Sequence, residues 1–193
     1  MGHVRSETYD RALAILVDAQ SALPFAAHWG RGQTASSDGQ HFRMGATGEA
    51  MNVVNAKYGS QPGMFAYTHV SDQYAPFHVQ RIGGTTHEAP FVLDGLPIHD
   101  SGLKITEQFT DTDGFTDHVF AACSFLGCRF ARRIRGLADH KLYLFEPDAC
   151  PELLRPKIGG KANEKIIRNV WPDMVRATAS MKARTIVPRV RTH

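Results

Sequence analysis

At 193 residues with a formal net charge of +3, the chain is long enough for one domain with its own core. No run of about 18 apolar residues occurs, and the first ten residues have neither an apolar stretch nor a small-residue cleavage site, so a membrane span and a secretory leader are not expected. Cys123, Cys128 and Cys150 are odd in number and lack CxxC spacing, which excludes a disulfide framework or a thiolate zinc site and suits a soluble, cytoplasmic protein.

The first element in chain order is an amphipathic helix over 7–23, with Ala12, Leu13, Leu16, Val17 and Leu23 at helical spacing, ended by Pro24. Residues 33–48, "QTASSDGQHFRMGATG", are small and polar with Gly at 39, 45 and 48, and predict a strand, a tight turn and a second short strand. "MFAYTHVSD" (64–72) is rich in β-branched and aromatic residues and predicts a strand. A helix follows over 85–96, with Thr86 as its candidate cap and Pro90 in its first turn.

"LKITEQFTD" (103–111) reads as a strand ending at Asp111, and "FTDHVFAACSFLG" (115–127) as a helix carrying Val119, Phe120, Cys123 and Leu126 on one face with Gly127 as its stop. "CRFARRI" and "KLYLF" are short strand candidates, "KIGGK" (157–161) reads as a loop, and residues 163–183 as a helix. The expected class is α/β: a mixed sheet flanked by helices over 1–146, and a helical extension over 147–193. Charge divides along similar lines. Residues 1–127 carry 7 Lys and Arg against 13 Asp and Glu, whereas residues 128–193 carry 15 against 6. That division suits a protein that holds cations at one place and a polyanion nearby, or simply solvated faces of different sign.

Two aspartates stand out. Asp38 in "SSDG" and Asp111 in "TDTDG" each lie where a β-like run meets small or hydroxylated residues, and paired carboxylates on neighbouring strand ends suit a hard cation such as Mg²⁺. Either motif alone reads more readily as a turn, because Asp before Gly is the commonest turn chemistry. The histidines show no HxxxH or HxH spacing, and Ser36 and Ser37 lack a nucleophile elbow. The run "RFARRIR", with Arg129, Arg132, Arg133 and Arg135, is the best phosphate-contact candidate, since guanidinium forks match phosphate oxygens. Lys157 and Lys161, with Lys165 and Arg168, form a second basic cluster.

The succession "SSDGQHF", "YTHVSDQYAPFH", "EAPFVLDGL", "TDTDGFTDHVFAACSFLGCRFARRIRGL" and "KLYLF" resembles the catalytic region of replicative transposases of the Tn-three family, from about residue 8 to about residue 182. The resemblance implies an RNase H-like mixed sheet, a triad of two aspartates and a glutamate, and Mg²⁺ or Mn²⁺ as cofactor. Its partners would be transposon ends and target DNA, in a bacterial cytoplasm and associated with nucleoid or plasmid, with a homodimer as the intact enzyme's form. Carried over by position, the first two acids are Asp38 and Asp111, on strands that lie side by side in such a sheet; Asp113 and Asp117 are the neighbours with which Asp111 could be confused. The third acid belongs on a helix downstream of these 193 residues, so the chain is expected to be a fragment, with Glu146 and Glu164 as weaker substitutes. The alternative expectation is a truncated product that binds DNA without cutting it.

Overall fold

A computed structural model describes residues 5–43, 53–54, 62–83, 88–97, 99–111, 116–132, 136, 138–183 and 185. Helix α1 (Ser6–Ser21) leads into strand β1 (Thr34–Arg43). Then come β2 (Val53–Val54), β3 (Pro62–Ser71), β4 (Pro76–Gly83), helix α2 (Ala89–Asp94), β5 (Glu107–Thr110), helix α3 (Asp117–Leu126) and β6 (Arg129–Arg132). The chain continues through β7 (Leu142–Leu144), β8 (Ile158–Lys161) and helix α4 (Glu164–Lys182). A six-stranded mixed sheet runs β2-β3-β1-β5-β6, with β4 also paired to β3, and β7 and β8 form a separate two-stranded sheet. Among the described residues no helix is long and apolar enough to cross a membrane. The α/β class and the mixed sheet are those expected from the sequence.

β1 is the centre of the sheet. It pairs antiparallel with β3, from Ala35 opposite Ser71 to Arg43 opposite Gly63, and parallel with β5, from Thr34 beside Glu107 to Ser37 beside Thr110. β5 in turn runs parallel to β6. The β3 strand alternates strictly, burying Gly63, Phe65, Tyr67, His69 and Ser71, as a strand with one covered face must. That face meets α2 and α3. Phe65, Tyr67, Ile82, Phe91, Val92, Leu93, Val119, Cys123 and Phe130 make one continuous apolar cluster. A second cluster of Val17, Ala35, Ala75 and Phe77 seats α1.

Local chemistry explains the helix boundaries. Thr116 caps α3 by accepting a hydrogen bond from the Val119 N–H at 3.2 Å, and Gly127 closes it at φ 79°, a left-handed conformation that glycine adopts without steric cost. Asn163 caps α4 in the same way, accepting from the Ile166 N–H at 3.1 Å. Trp171 of α4 packs on Phe125 of α3, with ring centroids 4.9 Å apart.

Several expectations need correction. "SSDG" is not a turn: β1 runs unbroken through Asp38 and Gly39. "KIGGK" is not a loop either, because Ile158–Lys161 pairs in parallel with Leu142–Leu144. Pro76–Gly83 is a strand that local propensity did not reveal, held by antiparallel pairing with β3. On α1 only Ala14 and Val17 are fully buried, while Leu16 and Leu23 face solvent; on α3, Phe120 is likewise exposed. Thr86 lies outside the described residues, and α2 starts at Ala89 with Glu88 in front.

The turn entering β1 depends on Asp72. Its carboxylate accepts from the Gly32 N–H at 2.8 Å, the Arg31 N–H at 3.3 Å and the Thr34 N–H at 3.4 Å, while its own N–H donates to the Thr34 carbonyl at 2.8 Å. A Cβ on Gly30 would stand 2.2 Å from the Asp72 Cγ, so the backbone passes there only as glycine. Asp72→Ala leaves those N–H groups unsatisfied and should lower the unfolding free energy by about 1–3 kcal/mol, seen as a lower urea midpoint at unchanged m-value. An unchanged midpoint would contradict the role assigned to Asp72.

Candidate active site

The site is built by strand register. Thr34, Ala35, Ser36 and Ser37 stand beside Glu107, Gln108, Phe109 and Thr110. The paired register ends at Ser37 and Thr110; the residue after each is Asp38, still within β1, and Asp111, the first residue past β5, both exposed. The two acids singled out from sequence thus each follow directly on the last residue pair of the ladder. The Asp38 Oδ1 accepts a hydrogen bond at 2.8 Å from the N–H of Gly39. Asp117 is instead the first residue of α3, where an acid complements the helix dipole, and Asp113 lies outside the described residues.

Behind the pair is a buried polar layer that sequence reasoning missed. Ser37 and Gln108 flank the strand ends on the covered face. The Ser37 hydroxyl meets His69 Nδ1 at 2.5 Å, and the Gln108 side-chain amide donates to the same hydroxyl and to the Phe109 carbonyl. His69 is fully buried, and burial first, then the neighbouring His78, lowers its pKa to about 3, so the ring is neutral. Tyr67, opposite Gly39 in the ladder, is also fully buried. Burial raises its hydroxyl pKa far above the ordinary range; the charges of Glu88, Asp111 and Asp38 push the same way, and Ser37 opposes them. Tyr67 is therefore a protonated hydroxyl within the field of three carboxylates. The sequence signal for this layer was the alternation in "FAYTHVS", which places Tyr67 and His69 on one face.

A divalent cation of the Mg²⁺ class takes oxygen donors and keeps several waters, and Asp38 and Asp111 supply hard oxygens at adjacent, solvent-facing strand positions. The donor set fits such an ion. Among the described residues no three His, Cys, Asp or Glu side chains converge on a single ion position, so neither Glu146 nor Glu164 completes a triad. Those two instead line one groove of about 640 Å³ with Phe145, Ile167, Arg168 and Trp171. There the Glu164 carboxylate accepts from Arg168 Nε at 2.8 Å as an exposed pair one turn apart.

The basic candidates are dispersed. Arg129, at the start of β6, is 77% exposed and ion-paired with Glu107 of β5. Arg132 ends β6, its side chain outside the described set, and Arg133 and Arg135 lie outside the described residues. Lys157 donates to the Ala138 carbonyl at 2.8 Å, and Lys161 is exposed at the end of β8.

Known proteins share this arrangement of sequence. A family model described as the Tn3 transposase DDE domain matches residues 1–190. The transposase for transposon Tn501 of Pseudomonas aeruginosa is 52% identical over 184 residues, covering 95% of this chain and 19% of the relative. The transposase for transposon Tn21 of Escherichia coli is 50% identical over 184 residues with the same coverage, and that for transposon Tn1546 of Enterococcus faecium is 34% identical over 180 residues, covering 93% of this chain and 18% of the relative. The chain thus spans about 19% of the length of the first two. It belongs to the Tn3 transposase DDE-domain family.

Because His69 is held neutral, the unfolded chain binds a proton that the folded chain refuses between pH 6.5 and about 3. Unfolding free energy should fall with acid through that window, by up to about 1.4 kcal/mol per pH unit from this residue. His69→Gln removes the contribution, so the stability advantage of the unmodified chain over the variant should shrink from pH 7 to pH 4 in urea unfolding. A difference that stays constant across that range would contradict a buried, neutral His69.

Proposed function

We propose that this chain is the part of a DNA transposase that carries the first two acids of its catalytic centre, Asp38 and Asp111, and that it serves metal-dependent strand cleavage and strand transfer during replicative transposition. The single observation that supports this reading is the parallel β1–β5 ladder, whose last pair, Ser37 and Thr110, immediately precedes the two acids in a chain of this family. A bound Mg²⁺ or Mn²⁺ would supply positive charge for in-line phosphoryl transfer, activating the attacking oxygen and stabilising the leaving one. Asp38 and Asp111 would hold that ion. Asp38 held within β1 and Asp111 set directly after the last residue of the neighbouring β5 support preorganised chemistry. Transposon ends and target DNA are the proposed substrates, and a homodimer in a bacterial cytoplasm the proposed working form. The boundary near residue 147, between catalytic region and extension, belongs to this reading.

DNA contact is assigned to Arg129, Arg132, Arg133, Arg135, Lys157 and Lys161, in the basic third of the sequence. The ion pair with Glu107 already offsets part of the charge of Arg129, so the remaining members should contribute more. Binding by this chain is expected to be independent of sequence, at about 10⁻⁴ to 10⁻⁶ M, and to weaken steeply with salt. Replacing Arg132, Arg133 and Arg135 together with Ala should weaken binding by a similar factor on unrelated duplexes and flatten the salt dependence. Affinity unchanged in fluorescence anisotropy would remove them from the DNA surface.

The functional reading is tested in the whole-protein context. At 52% identity over 184 residues, this chain can replace the matching segment of the Tn501 transposase. The chimera should support transposition, and Asp38→Asn or Asp111→Asn within it should lower the frequency by at least about 10²- to 10³-fold, the loss that follows removal of one essential electrostatic contact. A chimera whose activity survives either substitution would overturn the assignment.

A further inference from the structure

Gly39 follows Asp38 directly, and the space beside it is not empty. A Cβ there would stand 2.5 Å from Glu88 Oε1 and 2.9 Å from its Cδ, so the Glu88 carboxylate lies against the β1 backbone one residue from Asp38. Glu88 reaches this position from the residue preceding α2, on the far side of β3 and β4 in sequence. The backbone of Gly39 is an ordinary strand residue within β1; a side chain there would have to displace the Glu88 carboxylate.

A second observation points to the same place. The Tyr67 hydroxyl, fully buried on β3 opposite Gly39, has no hydrogen-bond partner among the described residues. A buried hydroxyl without a partner costs free energy that an ordinary core position avoids. The charges of Glu88, Asp111 and Asp38 all act on the Tyr67 hydroxyl. The charges of the three carboxylates thus reach one buried hydroxyl, from β1, from the residue after β5 and from the residue before α2.

We infer that Glu88 is a further acidic residue of the cation site, contacting the hydration shell of a divalent ion held by Asp38 and Asp111, with Gly39 keeping open the space its carboxylate occupies. The inference rests on the proposed role of the two aspartates and deepens it. Because among the described residues no three such side chains converge on one ion position, Glu88 acts through bound water, and Mg²⁺ and Mn²⁺ sites commonly retain such waters. Glu88 is thus a positioning residue, distinct from the direct ligands. The Tyr67 hydroxyl is the donor that this water layer or the Glu88 carboxylate can use.

The test is Mn²⁺ binding to the 193-residue chain, read from the electron paramagnetic resonance signal of free Mn²⁺, so no DNA or turnover is needed. Glu88→Gln should weaken Mn²⁺ binding by about 10-fold, as loss of an outer contact to a metal site does, whereas Asp38→Asn should abolish it. Gly39→Ala, which crowds the carboxylate without changing its charge, should weaken binding in the same direction. The Gly39→Ala/Glu88→Ala double variant should bind no more weakly than Glu88→Ala alone, because the group being crowded is gone. Circular dichroism and metal-free melting of each variant separate these effects from loss of the fold, and Gly39→Ala reads the same contact should Glu88→Gln fail to fold. Mn²⁺ affinity unchanged by Glu88→Gln and Gly39→Ala, but lost in Asp38→Asn, overturns the role of Glu88 and leaves the aspartate pair standing. Affinity unchanged by Asp38→Asn as well overturns both.

Discussion

The parallel ladder between β1 and β5 is the constraint on which the rest of this structure depends. Parallel strands cannot be joined by a hairpin and need a long crossover; between β1 and β5 that crossover contains β3, β4 and α2. A slip of one residue in the ladder would turn every β5 side chain to the opposite face. It would bury Asp111 and expose Gln108, which now meets Ser37 within the covered layer. The buried polar contacts and the exposed acids are therefore two readings of one register. Correct alignment of either requires the other.

The layer behind the acids is unusual for a core. Ser37, His69, Gln108 and Tyr67 place polar atoms where leucine or phenylalanine would pack without a desolvation cost, and the hydroxyl of Tyr67 and the Nε2 of His69 have no partner among the described residues. Close backbone approach reinforces the tightness of this region: a Cβ on Gly95 would meet the His69 ring at 2.4 Å. A site that must hold two like charges at fixed spacing gains from rigid support of this kind. Its electrostatics also favour a cation, because a neutral histidine and a protonated tyrosine add no competing positive charge behind the carboxylates.

Much of this was legible in the sequence, and the failures have identifiable causes. The helices read correctly in type because their apolar residues recur at helical spacing and Gly127 is a strong local stop signal; the caps Thr116 and Asn163 became visible only in the structure. β3 read correctly because its β-branched and aromatic residues favour a strand, and its burial alternates without a break. "SSDG" misled because Asp-Gly is common turn chemistry, whereas pairing with β3 and β5 carries the strand through it. "KIGGK" misled because its two glycines have no strand propensity; its pairing with β7 is a nonlocal event. β4 was missed for a similar reason, as "PFHVQRIG" gains its strand conformation from β3. The two aspartates came from resemblance to a family, and their places directly after the last pair of the ladder from register. Glu88 and Tyr67 carried no motif, since both act through space from elements far apart in the chain.

The charge division gains a physical meaning here. The acidic portion of the sequence contains both aspartates and Glu88, while the basic excess follows β5 and continues through α4. A cation binding in the first region and a polyanion beside the second would each relieve local self-repulsion. The central claim is that Asp38 and Asp111 share one divalent ion, and crystals of the chain soaked in Mn²⁺ test it most directly through anomalous scattering. The account predicts a peak between the two carboxylates, within metal–oxygen bonding distance of both. An anomalous peak bound to only one of them, or located elsewhere with none between the two strands, would contradict it.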